Sequence, residues 1–170
     1  GGTPAKDVAL WDGNAWQSLA GGTSGFSFGV WGVLAMPNGD VIIGGQFSTV
    51  GGVAATCVAR WNGTNWSPMG ALPSGAFSLA KGPNGEVYAT DNGVHQWNGS
   101  TWTSLAFPAS TTLIRSCAVD AAGALDVARD EPPNGVLRWQ LGVWAPIPGV
   151  PNAKVVHGAP DTTSRIISKS

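Results

Sequence analysis

Charge is what this chain has least of: Lys, Arg, Asp and Glu make up 11% of its 170 residues, and the formal net charge is -1. No run of like charge offers a phosphate backbone or an anionic membrane an electrostatic footprint, so nucleic acid is not an expected partner. No apolar stretch approaches the roughly 18 residues that span a bilayer, which argues against direct membrane insertion. Cysteine is nearly absent too. Cys57 and Cys117 lie 60 positions apart without CxxC or metal-ligand spacing, so a zinc site is set aside and free, buried thiols are expected rather than a disulfide. No metal or other cofactor is expected.

Against these absences stand 25 glycines, 12 prolines, nine tryptophans and 43% apolar residues, the composition of a turn-rich β protein with a packed interior. Eight of the tryptophans fall in pairs five residues apart: "LWDGNAW" at 10–16, "RWNGTNW" at 60–66, "QWNGSTW" at 96–102 and "RWQLGVW" at 138–144. Trp at i and i+5 around a four-residue loop places both rings on one side of a ladder, a packing role complete in itself. Between the pairs runs a second element: "VLAMPNGDVIIGG", "SLAKGPNGEVYAT", "CAVDAAGALDVAR" and a degraded "VHGAPDTTSRIIS" at 156–168. Each reads as strand, turn, strand, with Asn38-Gly39 and Asn84-Gly85 suited to two-residue type I′ turns.

Each repeat therefore holds about four short strands in 36 to 50 residues, and no helical period intervenes. The expected fold is all-β, a β-propeller of about four four-stranded antiparallel blades. With strands named A to D from the axis outward, the blades fall at 29–69, 75–105 and 112–147. A further blade is shared between strands A and B at 153–170 and strands C and D at 7–20. Self-closure of these halves, a larger ring completed by another copy or chain, and a segment of a longer propeller all remain open.

The run "GGQFSTVGG" at 44–52, continued by "VAATCVARWNGTNWSPMG", resembles the kelch-like repeats of extracellular β-propellers related in fold to galactose oxidase. The resemblance implies a propeller and an extracytoplasmic location. It does not carry the copper site of that enzyme, which needs two tyrosines and two histidines; this chain has one tyrosine, Tyr88, and its histidines, His95 and His157, sit in different repeats.

Recognition on a repeated scaffold lives in its variable loops. The B-to-C and D-to-A connections share one face and vary most. Their polar residues Ser48, Thr49, Asp91, Asn92, Arg129, Asp130 and Glu131, with Phe26 and Phe28 as apolar companions, form the candidate ligand set. A calcium role for Asp91, Asp130 and Glu131 lacks any dense carboxylate loop to support it. The alternative set is Trp16, Trp66, Trp102 and Trp144, whose indole faces would stack on sugar rings, although a structural role competes at each. His95 reads as a packed or solvent-facing imidazole. Asn62, Asn65 and Asn98 match the N-glycosylation pattern in a turn that favours Asn-Gly in any case.

With ten acidic residues scattered in turns and no evident acid–base pairing, no catalytic residue is expected. The first expectation is a non-enzymatic extracytoplasmic module with a protein partner, as an accessory subunit or a homo-oligomer completing a larger propeller. A lectin with a glycan partner is the alternative. A hydrolase or lyase using carboxylates on the loop face comes third.

Overall fold

A computed structural model describes residues 6–11, 14–25, 28–72, 74–108, 114–129 and 135–147. The strands expected at 153–168, and with them the closing of the shared blade, lie outside the described residues. So do Phe26, Asp130, Glu131 and His157. The chain divides into two compact units, residues 1–76 and 77–170.

Every element of the first unit is a strand. They run β1 (Ala9–Trp11), β2 (Trp16–Ser18), β3 (Thr23–Ser24), β4 (Gly29–Ala35), β5 (Val41–Gln46), β6 (Thr49–Val50), β7 (Val53–Ala54), β8 (Val58–Trp61) and β9 (Trp66–Pro68). Strands β4-β5-β8-β9 form a four-stranded antiparallel blade, β1-β2 a separate hairpin, and β3-β6-β7 a small third sheet. The core sits where Val8 and Leu19, flanking the hairpin, meet Ile43, Ala59, Trp61 and Trp66 of the blade and Phe47 and Val50 beside it.

The second unit holds β10 (Ser78–Lys81), β11 (Val87–Thr90), β12 (Val94–Trp97), β13 (Trp102–Ser104), β14 (Ile114–Val119), β15 (Leu125–Arg129), β16 (Val136–Gln140) and β17 (Val143–Pro146). Two further four-stranded blades, β10-β11-β12-β13 and β14-β15-β16-β17, result. They pack face to face through Ala80, Tyr88, Val94 and Leu105 on one side and Ile114, Cys117, Leu125 and Val127 on the other. The inner strands are buried almost throughout, as in β11 and β15, and exposure grows toward the outer strands β13 and β17.

All four tryptophan pairs are cross-strand partners: Trp11↔Trp16, Trp61↔Trp66, Trp97↔Trp102 and Trp139↔Trp144. Their ring centroids lie 5.1–5.4 Å apart in tilted contact. Each pair contributes roughly 0.5–1.5 kcal/mol beyond its burial. Between the rings, Gly63 and Gly99 take positive φ, and the side chains of Asn62 and Asn98 accept backbone hydrogen bonds from the two and three residues following. Asn65 lies in the same exposed loop as Asn62. Asx turns thus account for Asn62 and Asn98 without any modification.

Turn chemistry differs from expectation in one respect. Asn38-Gly39 and Asn84-Gly85 are not type I′ turns, because neither asparagine has positive φ. Instead Gly39 N–H donates to Met36 O and Met36 N–H to Asp40 O, a pattern repeated at Gly82–Glu86 and Asp120–Ala124. Each is a type I turn closed by a left-handed glycine bulge, and in the first two Pro37 and Pro83 stand where a fixed φ near -65° is wanted. The I′ turns fall elsewhere, at Gly51-Gly52 between β6 and β7 and at Leu141-Gly142 between β16 and β17, where both central residues have positive φ.

The glycine-framed stretch at 44–52 is also more ordered than a loop. It forms the ribbon β6-β7, to which β3 adds a third strand. Gly51 N–H donates to Gly22 O at 2.9 Å, and a Cβ at Gly51 would meet Trp66 Cδ1 at 2.6 Å and Ala20 O at 2.9 Å. Cys57 and Cys117 are free and buried; burial, only partly offset by a hydrogen bond with Ser78, pushes the Cys117 thiol up to about 12.

Two substitutions test this account by urea denaturation. Leu141 is 97% exposed at φ 52°, so Leu141→Asn relieves left-handed strain and stabilises by about 1 kcal/mol. Gly51→Ala combines positive φ with a steric clash and destabilises by at least about 2 kcal/mol.

Candidate functional site

The turn between β11 and β12 is the shortest of the described B-to-C connections, three residues long, and it builds a close carboxylate–imidazole pair. Thr90 pairs with Val94, so Asp91, Asn92 and Gly93 reverse the chain at once. Asp91 N–H donates to Gly93 O at 3.1 Å, and Gly93 N–H donates to the Asp91 carboxylate at 2.7 Å. This Asx-type closure turns the carboxylate back over the strand that follows. There His95 Nε2 meets the same Asp91 oxygen, Oδ1, at 2.8 Å.

Asp91 is 5% exposed. Burial alone would raise its pKa; the hydrogen bond from His95, the Gly93 amide and the charge of a protonated His95 outweigh that and hold it below the ordinary value of 3.8. An ionised carboxylate only accepts, so the proton of a neutral His95 sits on Nε2 and Nδ1 carries the lone pair. Nδ1 has no hydrogen-bond partner among the described residues, and the His95 side chain is 19% exposed. A buried carboxylate holding a partly accessible imidazole is an arrangement chemically able to move a proton. Next to it Thr90 is wholly buried with its hydroxyl unpartnered, as is the Ser116 hydroxyl on β14.

The remaining expected residues are dispersed. Ser48 and Thr49 belong to the first unit: Thr49 Oγ1 lies 2.5 Å from Ser24 Oγ, and Ser48 uses its backbone N–H and C=O to join Ser24 and Ala55. Those hydroxyls stitch the three-stranded ribbon together. Phe28 is 72% exposed on the surface. In the second unit Asn92 is exposed on the Asp91 turn, and Arg129 ends β15 on the neighbouring blade. Of the calcium candidates only Asp91 is described, and its carboxylate is engaged by His95 and Gly93.

The tryptophan set needs correcting at Trp66. It is 6% exposed, and its Nε1–H donates to Leu19 O at 3.1 Å, so no ring face is left for a sugar. Trp144 is half-buried, bonded to Leu105 O at 2.9 Å and edge-on to Phe107. Trp102 is half-buried against Trp97, and Trp16 is exposed. Sequence reading passed over His95 because its partner stands four residues away on the far side of a turn. The available signal was "DNGVH", in which a three-residue reversal brings Asp and His to one edge.

No family model and no curated protein matches the chain. Among solved structures, a catalytically inactive variant of virginiamycin B lyase from Staphylococcus aureus with quinupristin is 18% identical, with a TM-score of 0.55 over 74% of this chain and 43% of that one. A protein assigned as a gluconolactonase is 18% identical, with a TM-score of 0.53, over 76% and 51%. YCF48 bound to D1 peptide is 14% identical, with a TM-score of 0.50, over 78% and 43%. The matched region is about half or less of each neighbour. At this identity the likeness shows the fold, a β-propeller, and two earlier readings change. A kelch or galactose-oxidase family membership is not supported, since the neighbours are of the lyase and gluconolactonase kind. The expectation of a chain without catalysis is not supported either, since enzymes are among the neighbours that share this architecture.

Because the Asp91 pKa is lower in the folded than in the unfolded chain, its contribution to stability is complete above the unfolded value near 3.8 and is lost as pH falls through the folded value. Urea denaturation between pH 2 and 7 should therefore show stability falling in acid below about pH 4, and Asp91→Asn should flatten that fall.

Proposed function

We propose that this chain belongs to a catalytic β-propeller in which Asp91 and His95 act as the acid–base pair, in a lyase or lactone-opening reaction. The observation that carries the reading is the 2.8 Å contact between a buried carboxylate and an imidazole whose other nitrogen is unpartnered among the described residues. In such a pair Asp91 orients the ring and stabilises its protonated form, while Nδ1 takes a proton from a carbon acid or from an attacking water. The lyase and gluconolactonase neighbours support the choice of reaction class, since both arise on this architecture. Asn92, exposed on the same turn, is placed to contact the substrate. An extracytoplasmic location, the expectation drawn from the repeat resemblance, is kept as part of the proposal.

A second reading, a propeller that docks a protein partner, is favoured by the YCF48 likeness, in which the neighbour holds a peptide. It predicts a stable complex that survives His95→Gln.

Hydrolysis and elimination assays on a panel of lactones and activated esters separate the two. Turnover is expected in the parent protein, with His95→Gln lowering kcat by about 100-fold or more, the usual contribution of a general base, and circular dichroism unchanged. Absence of turnover on the whole panel, or turnover indifferent to His95→Gln, removes the catalytic reading.

A further inference from the structure

Asn-Gly pairs stand among the described residues at 38–39, 62–63, 84–85, 92–93 and 98–99. Each carries an intramolecular hazard. The glycine nitrogen, once it has lost its proton, lies beside the asparagine side-chain carbonyl and attacks it, and glycine has no side chain to obstruct the approach. All of these asparagines are exposed, so access to water does not separate them. Hydrogen bonding does.

At three of the pairs the glycine nitrogen is withheld. Gly39 N–H donates to Met36 O at 3.0 Å, Gly85 N–H to Gly82 O at 3.2 Å, and Gly93 N–H to the Asp91 carboxylate at 2.7 Å. Taking that proton away discards a hydrogen bond and, at Gly93, sets an amide anion against a carboxylate. At Asn38 and Asn84 the departing amide is tied down as well, with Nδ2 donating to Asp40 at 2.8 Å and to Glu86 at 3.0 Å.

The two tryptophan turns are built the other way. Gly63 and Gly99 are exposed, and neither N–H has a hydrogen-bond partner among the described residues. The carbonyl beside each is already polarised. Asn62 Oδ1 accepts the N–H of Thr64 at 3.0 Å and of Asn65 at 2.8 Å, and Asn98 Oδ1 accepts those of Ser100 at 2.9 Å and Thr101 at 2.8 Å. Two main-chain donors converging on one carbonyl oxygen form an oxyanion hole, because negative charge gathers on that oxygen when a nucleophile adds to Cγ.

The structure assigns Asn62 and Asn98 as sites of self-catalysed deamidation, with Asp91 shielding Asn92 from the same reaction. The glycine N–H gives its proton to water, and the nitrogen bonds to Cγ. The Cγ–Nδ2 bond breaks, and ammonia leaves with a proton taken from water. A second water opens the resulting succinimide. Cleavage at Cγ gives aspartate; cleavage at the main-chain carbonyl gives isoaspartate, with the backbone rerouted through Cβ and Cγ. Isoaspartate adds a methylene to the four-residue loop whose length makes Trp61 face Trp66 and Trp97 face Trp102, so the modification loosens the pair it interrupts.

The full chain, aged in mildly alkaline buffer and examined by peptide mass spectrometry that resolves isoaspartate, tests this. Asn62 and Asn98 should convert about tenfold or more faster than Asn38, Asn84 and Asn92, and in urea all five should convert at similar rates. Asp91→Ala should raise the Asn92 rate about tenfold, with Asn84 on the same blade unchanged. Asp91→Ser, whose hydroxyl can accept the Gly93 N–H, should restore the protection. Equal rates at the five sites of the folded protein, or the same order persisting in urea, overturns the proposal. So does an Asn92 rate that Asp91→Ala leaves unchanged or that Asp91→Ser raises as far.

Discussion

An indole N–H bonded to a main-chain carbonyl of the preceding hairpin is the contact on which this structure turns. The carbonyls past Trp16 and Trp102 leave regular structure at left-handed alanines and would face desolvation without a partner. Trp66 and Trp144 satisfy them at 3.1 and 2.9 Å while laying a large apolar ring across the seam. One side chain therefore supplies the hydrogen bond and the packing together, and its cross-strand partner holds it in place from the other side. In a chain with so few charges, ion pairs cannot take over that role.

Among the described residues the few buried charges are each matched. Asp40 is held by Arg60 and by the Asn38 amide, Asp126 by Arg138, and Asp91 by His95 and Gly93. The first two are alike: a carboxylate at the start of the second strand of a blade meets a guanidinium on the third. Asp91–His95 is different in kind, because the partner is a partly exposed imidazole that keeps one nitrogen unpartnered among the described residues. The site also stands on a three-residue turn between regular strands, which limits its motion and favours a fixed geometry.

Much of this was legible in the residues, because a period of two and a recurring Trp pair are local signals. The spacing of Trp61 and Trp66 required facing positions on a ladder, and Pro37 and Gly39 required a turn. What type of turn depended on a detail easily misjudged: Asn-Gly suits I′, but a preceding proline commits the chain to type I with a glycine bulge. The ribbon at 47–54 was hidden because its strands are two residues long and pair with β3, more than 20 positions away in sequence. His95 was hidden because nothing in its composition distinguishes an imidazole that packs from one that a buried carboxylate orients.

The sequence by itself determined the strand content, the four tryptophan hairpins and the positions of the glycines, since each follows from side-chain period and backbone sterics over a handful of residues. Only the tertiary structure decided which indoles are buried clasps and which stay exposed, since burial depends on the sheet lying opposite. It alone set the Asp91 carboxylate against His95 and drew Ser24 to Thr49. Hydrogen bonds of that kind are matters of distance and direction across a turn or between strands remote along the chain, and linear spacing does not encode them.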